Sequence, residues 1–408
     1  MTAAQPAPPT PADVVLTFLE SVGRRSEAEL YLRLFRRLPK QSFAILAPAS
    51  QVVRETLGSL AEQVKFLVDL DLFAPIVLGL FDPGVAAQNA ERLARKLIKF
   101  GINVPLHSMD EPGLGATLTQ ELTAERVPVV FFKPVEGESV DERRVRIGEL
   151  ARSLDTRKIL LLRRRGGLGL RGDRPLEIAP GYQLPTLGGW LSVVNLRTDR
   201  DALVASKKLP KRDSELLECA ERLIEQVAPT PLLVSVASPL NFLKELFTVK
   251  GAGTLIKSGT LVSRHDSYAD LDVGRLRALI DASFGRPLAR DFFDVPPLAV
   301  YMDSQYRGAA IVQAAGPAPY LSKFVVEPDA QGEGIGNDLW QAIARDFPRI
   351  FWRARQDNPI LPWYYSVADG MAKSGPWCVL WRGVEAPRIP EVIEDAIGRG
   401  SDFSEPGK

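Results

Sequence analysis

Two stretches in the last third of this 408-residue chain hold residue types that do chemistry together. The first is Phe324-Val325-Val326-Glu327-Pro328-Asp329-Ala330, followed by Gln331-Gly332-Glu333-Gly334-Ile335-Gly336 and then a helical pattern. Glycines just before a helix let the backbone turn tightly and approach a ligand closely. The free N–H groups and positive dipole end of that helix suit an anion. A strand feeding such a loop is a phosphate cradle. A P-loop would need Gly-Lys-Ser/Thr, and a dinucleotide fold would need Gly-x-Gly-x-x-Gly inside a βαβ unit. The spacing here is Gln-x-x-Gly-x-Gly.

The second stretch is Phe351-Trp352-Arg353-Ala354-Arg355-Gln356-Asp357-Asn358-Pro359, with Pro362-Trp363-Tyr364 after it. Arg353 and Arg355 are two apart in a strand pattern, so their side chains share a face. A guanidinium pair between tryptophans is expensive to bury without an anion, and it grips carboxylates bidentately.

The Gln-x-x-Gly-x-Gly run after such a strand resembles the pyrophosphate loop of GCN5-related N-acetyltransferases. A linear series narrows the resemblance. Ser283-Phe284-Gly285, Tyr320-Leu321-Ser322-Lys323-Phe324, Phe351 to Arg355, Asn358-Pro359, Trp363-Tyr364 and Ala368-Asp369-Gly370 are similar to the acetyltransferase domain of vertebrate-like N-acetylglutamate synthases. That family includes bifunctional bacterial synthase–kinases. The resemblance implies transfer of acetyl from acetyl-CoA to the α-amino group of L-glutamate, giving N-acetylglutamate for arginine biosynthesis. It implies that Lys323, Arg353, Arg355 and Asn358 bind the acceptor. It also implies that the backbone of Phe324, Val325 and Val326 and of Gln331 to Gly336 holds the coenzyme, and that Tyr364 stands near the thioester sulfur. Arg286 follows the Ser-Phe-Gly segment, where family members carry Lys or Arg, and would join the acceptor site. Tyr364 is a weak acid that can donate a hydrogen bond to the departing thiolate, and Lys323 would help stabilise the reacting geometry. No histidine lies near this block, so the amine's proton would leave to a water or a backbone carbonyl.

The elements that must position these residues form an α+β pattern over residues 261–408. Val273–Ser283 reads as a helix, and Leu298–Tyr301 with Ala309–Val312 as an antiparallel hairpin. Tyr320–Val326, Ile350–Ala354 and Cys378–Trp381 read as strands, and Gly336–Phe347 as a helix. Residues 12–260 predict an α/β domain with a mainly parallel sheet. There the strands Phe43–Leu46, Ala74–Leu80, Val127–Phe132, Lys158–Leu162 and Leu232–Val236 alternate with the helices Val52–Leu70, Val85–Phe100, Ser214–Val227 and Leu240–Leu246. Residues 12–38 read as two helices, 1–11 as a disordered tail and Lys257–Asp270 as a linker.

The upstream domain resembles the amino-acid kinase domain of acetylglutamate kinases and synthases, notably over Glu245-Leu246-Phe247-Thr248-Val249-Lys250-Gly251-Ala252-Gly253-Thr254. Active kinases of that family carry Lys-x-Gly-Gly after the first strand, where the lysine stabilises the phosphoryl group in flight. Here the place reads Ala47-Pro48-Ala49-Ser50, and the second-strand loop reads Gly79-Leu80-Phe81-Asp82-Pro83-Gly84. The expectation is a pseudokinase. Its end resembles the L-arginine site of regulated relatives, with Glu245 pairing the guanidinium and the backbone around Gly251 meeting the amino acid. The N-terminal helices sit where relatives join subunits, which implies a homo-oligomer, with a tetramer as the candidate.

Composition sets the remaining bounds. A net charge of +1 advertises neither nucleic acid nor an anionic membrane. Two cysteines and two histidines make no disulfide framework and predict no metal site. No apolar run reaches the ~20 residues of a membrane span, and the Ala/Pro-rich start without basic residues predicts a cytoplasmic protein. Two other readings are an acetyltransferase for a different amine and a non-catalytic arginine sensor. The intact Gln331–Gly336 loop together with Tyr364 weighs against the sensor.

Overall fold

The computed structural model describes residues 29, 32, 33, 35, 36, 39–172, 176–179, 182–184, 186, 187, 189–228, 231–247, 252–327 and 334–404. Most of the two helices expected over residues 12–38 lies outside these. The chain divides into two compact units, Met1–Ser258 and Gly259–Lys408.

The first unit runs β1 (Ile45–Pro48), α1 (Ser50–Glu55), α2 (Leu57–Asp69), β2 (Ile76–Leu78), α3 (Ala86–Ile98), β3 (Leu106–Ser108), α4 (Leu114–Thr123), β4 (Val129–Phe131), α5 (Val140–Ser153) and β5 (Lys158–Leu162). Two short hairpins follow, then β6 (Val193–Asn195), α6 (Arg200–Ala205), α7 (Lys211–Val227), β7 (Leu233–Ala237), α8 (Phe242–Phe247) and β8 (Thr254–Lys257). The sheet order is β6-β8-β7-β5-β1-β2-β4-β3. All pairs are parallel except β7 with β8. Alternation along β5 explains the two faces. Leu160 and Leu162 enter a core with α1, α2, α3 and α8, while Ile159 and Leu161 enter a second core with α4, α5 and α7. The helix expected over Val52–Leu70 is broken at Thr56, whose backbone N–H and hydroxyl both donate to the Val52 carbonyl. A β-branched hydroxyl that returns to the preceding turn competes with helix continuation.

The second unit runs β9 (Val262–His265), α9 (Val273–Phe284), β10 (Ala299–Asp303), β11 (Gly308–Gln313), β12 (Tyr320–Val326), α10 (Ile335–Asp346), β13 (Ile350–Arg355), α11 (Leu361–Val367), β14 (Gly370–Ser374), β15 (Trp377–Arg382) and α12 (Ile389–Gly398). The sheet order is β9-β10-β11-β12-β13-β15-β14. The stretch Lys257–Asp270 is therefore not a plain linker. Its residues 262–265 are an antiparallel edge strand on β10, from Val262↔Asp303 to His265↔Val300. Its polar residues Ser263, Arg264 and His265 hid it, because an edge strand needs no continuous apolar run. Among the described residues, no helix is long and apolar enough to cross a membrane.

Candidate functional site

In the second unit, β12 and β13 are parallel neighbours that share only one register pair, Tyr320↔Phe351. Beyond it the strands part. From Ser322 to Val326, the β12 backbone on that side has no β13 partner. On its other side β12 keeps its antiparallel ladder to β11, with a bulge between Ile311 and Val312. The opening thus lies at Phe324, Val325 and Val326, the residues whose backbone the family resemblance assigns to the coenzyme.

Helix α10 starts at this opening. Its N-cap is Gly334 at φ +86°, a left-handed conformation that side chains resist, and the Gly334 carbonyl accepts from the Asp338 N–H at 3.1 Å. A Cβ on Gly336 would stand 3.5–3.7 Å from Val326 and from the Phe324 ring, so this first turn packs directly on the end of β12. Gln331, Gly332 and Glu333 lie outside the described residues.

One face of the opening is aromatic. Trp363 stacks on Phe324 with ring centroids 5.1 Å apart, and Tyr364 lies 5.6 Å from Trp352 and 5.5 Å from Trp363. Trp340 of α10 closes the group 5.1 Å from Trp352. Tyr364 is buried here, and desolvation holds its hydroxyl well above the ordinary tyrosine range. The phenol therefore keeps its proton at neutral pH. Trp352 is 1% exposed, and among the described residues its indole N–H has no acceptor.

The opposite face is cationic. Lys323, Arg353 and Tyr320 point there, towards α12 and the chain that follows it. Lys323 is 2% exposed. Its ammonium pairs with the Asp402 carboxylate and donates to Ser322 Oγ at 3.2 Å. It lies 4.5 Å from the Phe292 ring centroid and 5.4 Å from that of Phe403. Burial pushes its pKa below the lysine range, Asp402 pulls it back up, and Arg353 adds to the lowering. A buried ammonium needs an anion, and this one has found a carboxylate. Arg353 donates to the carbonyls of Ala396 at 2.8 Å, Arg399 at 2.6 Å and Gly400, so it caps the end of α12, where the dipole favours a cation.

The other expected acceptor residues are placed differently. Arg353 and Arg355 do share a strand face, stacking on Trp377 at 4.2 and 5.6 Å, but Arg355 is exposed and lies 3.9 Å from the Asp357 carboxylate. Asn358 is half-buried, its Oδ1 accepting from the Ile360 N–H at 3.0 Å ahead of α11. Exposed Arg286 covers the Phe403 ring at 5.0 Å. The sequence reading missed Asp402 and Phe403, which meet Lys323 and Arg286. Nothing local marks them, because their neighbours lie about 80 and 115 residues upstream. His265 sits on β9, three strands from β12, with its ring nitrogen 2.8 Å from Ser263 Oγ.

In the first unit, Glu245 is buried. Its carboxylate accepts from Ser235 Oγ at 3.0 Å and from the N–H groups of Ala252 and Gly253, both at 2.9 Å. Gly251 lies outside the described residues. At the end of β1 the chain reads Ala47-Pro48-Ala49-Ser50, and the Ala49 N–H donates to the Leu162 carbonyl at 2.9 Å. The glycine pair after β5 is closed over. A Cβ on Gly167 would meet Thr254 Oγ1 at 2.6 Å, and the Arg163 guanidinium fills the turn by donating to Gly166 O, Gly167 O and Asp213.

Residues 263–398 match the family model of the N-acetyltransferase of N-acetylglutamate synthase. Acetylglutamate kinase of Xylella fastidiosa (strain Temecula1) is 28% identical, over 88% of this chain and 94% of that protein. Mitochondrial N-acetylglutamate synthase of Mus musculus is 29% identical, over 98% of this chain and 83% of that protein. The Homo sapiens protein of the same name is 33% identical, over 63% of this chain and 46% of its own length. Among solved structures, N-acetylglutamate synthase from Neisseria gonorrhoeae, complexed with coenzyme A and N-acetyl-glutamate, superposes with a TM-score of 0.52 at 16% identity. That match covers 88% of this chain and 98% of that one, and it shows the fold. The second unit thus carries a domain that matches the N-acetyltransferase of N-acetylglutamate synthase, and the chain as a whole resembles N-acetylglutamate synthases in sequence and in fold.

Proposed function

We propose that the second unit transfers acetyl from acetyl-CoA to the α-amino group of L-glutamate, giving N-acetylglutamate. The observation that carries this reading is strand β12. One edge of it is released from β13 beside the start of α10, and its Lys323 presents a buried ammonium in a carboxylate site. In this reading the released backbone of Phe324 to Val326 takes the pantetheine amides, and the loop Gln331 to Gly336 takes the pyrophosphate at the α10 N-terminus. Lys323 binds an acceptor carboxylate, with Arg353, Arg355, Asn358 and Arg286 as its partners. Tyr364, which keeps its proton, donates to the thiolate as it leaves. No metal takes part.

Gly336→Val tests the coenzyme side. Its side chain would enter the space between the first turn of α10, Val326 and Phe324. Acetyl-CoA affinity should fall at least about tenfold by titration calorimetry, since a single displaced phosphate contact is worth on the order of 1.5–3 kcal/mol. Unchanged affinity in a folded variant would remove the loop from the site.

The first unit, in our reading, is a regulatory pseudokinase. With Ala47 to Ser50 in the lysine's place and Arg163 filling the later glycine turn, N-acetylglutamate should not be phosphorylated. ADP release that depends on N-acetylglutamate would contradict this. L-arginine would bind near Glu245, whose carboxylate orders the Ala252–Gly253 turn. Glu245→Gln should raise the arginine Kd by roughly tenfold or more. Calorimetry showing no heat with arginine on protein active as a synthase would sink the proposal. We also place the protein in the cytoplasm as a homo-oligomer, with a tetramer as the candidate. Its two cysteines, both buried free thiols, fit a reducing compartment.

A further inference from the structure

The chain after α12 does not trail away. Ala289 N–H donates to the Asp402 carbonyl at 2.9 Å and Ser404 N–H to the Pro287 carbonyl at 3.0 Å, so residues 402–404 lie along 287–289 as a short bridge. The Phe403 ring packs on Phe284 with centroids 4.8 Å apart, between Arg286 and Lys323. Asp402 holds the Lys323 ammonium, and the carbonyls of Arg399 and Gly400 hold Arg353. One segment of six residues thus engages three of the cations assigned to the acceptor. Two of the three are met by groups like those an acceptor would bring, a carboxylate on the Lys323 ammonium and carbonyl oxygens on the Arg353 guanidinium, and the third, Arg286, lies over the Phe403 ring.

We infer that residues Arg399–Ser404 form a substrate-mimicking strap, and that Asp402 stands where a carboxylate of the acceptor binds. This rests on the assignment of Lys323 to the acceptor. A second carboxylate brought to the same buried ammonium would repel the first, because like charges a few ångströms apart in low dielectric cannot both stay. Asp402 is the one able to leave. Its side chain is 38% exposed, against 2% for Lys323. An acceptor must therefore carry its own carboxylate to open the site, which makes Asp402 a specificity-determining residue. An amine without a carboxylate offers nothing to exchange for the pair it would break.

A strap closed nine-tenths of the time reduces the apparent affinity of its competitor about tenfold. Asp402→Asn in the full chain should therefore lower the glutamate KM by about that factor and leave the acetyl-CoA KM unchanged. In the unmodified protein, L-glutamate added with coenzyme A should speed amide hydrogen exchange in residues 399–404 and at Ala289. A raised or unaltered glutamate KM in Asp402→Asn, or slower exchange of the strap with glutamate, would overturn the proposal by showing that Asp402 supports the site rather than blocking it. Lys323→Met separates the two levels. If it leaves the glutamate KM alone, the acceptor assignment itself fails. If it raises that KM while Asp402→Asn does not lower it, only the strap fails.

Discussion

Tyr364→Phe should lower kcat by about 10²–10⁴-fold while leaving both substrate KM values close to those of the unmodified enzyme. The ring stays, so the contacts to Phe324, Trp352 and Trp363 that shape the aromatic face are kept. Only the hydroxyl is lost. A thiolate leaving in a desolvated site needs a donor that still holds its proton, and burial raises the Tyr364 pKa rather than lowering it. The pH profile of kcat should show no loss of this acid below about pH 10, the ordinary tyrosine value. Single-turnover measurement keeps product release from hiding the effect. Full kcat in Tyr364→Phe, with chemistry limiting, would make Tyr364 a packing residue.

Lys323→Met should raise the glutamate KM by roughly 10–100-fold, the range expected when a charge-assisted bond worth about 1.5–3 kcal/mol is removed. The acetyl-CoA KM should stay nearly constant, because in this reading the coenzyme meets the released backbone of Phe324 to Val326 and not the Lys323 side chain. Methionine replaces most of the lysine stem between Phe292 and Phe403, and the released Asp402 can turn to water, so the fold should survive. The same KM for glutamate before and after the change would place the acceptor elsewhere.

How far the sequence revealed this arrangement depends on the range of the interactions. The strands Lys158–Leu162 and Tyr320–Val326 were legible because each is an apolar run between breakers, and their observed bounds are the same. Helix α5 was not, because its charged surface blurs the period. Yet its capping box, Ser139 with Glu142, stands in the sequence and forms in the structure. Strands β3 and β9 are short edges with little apolar signal. At the site, the motif around Gly334 and the Arg353–Arg355 spacing were readable, since strand alternation puts both guanidiniums on Trp377. That Arg353 is spent on the end of α12, and that Asp402 answers Lys323, was unreadable. Both depend on how residues 389–404 fold back, and no local pattern carries that.

Product identity tests acetyl transfer to glutamate most directly. The purified full chain is incubated with acetyl-CoA and each of a panel of amino acids and simple amines, and the products are identified by mass spectrometry. N-acetylglutamate, formed with release of one coenzyme A per acetyl group and in clear excess over every other product, is the expected result. Acetylation of a different amine in preference to glutamate, or no acetylated product from protein that still binds acetyl-CoA, would contradict it.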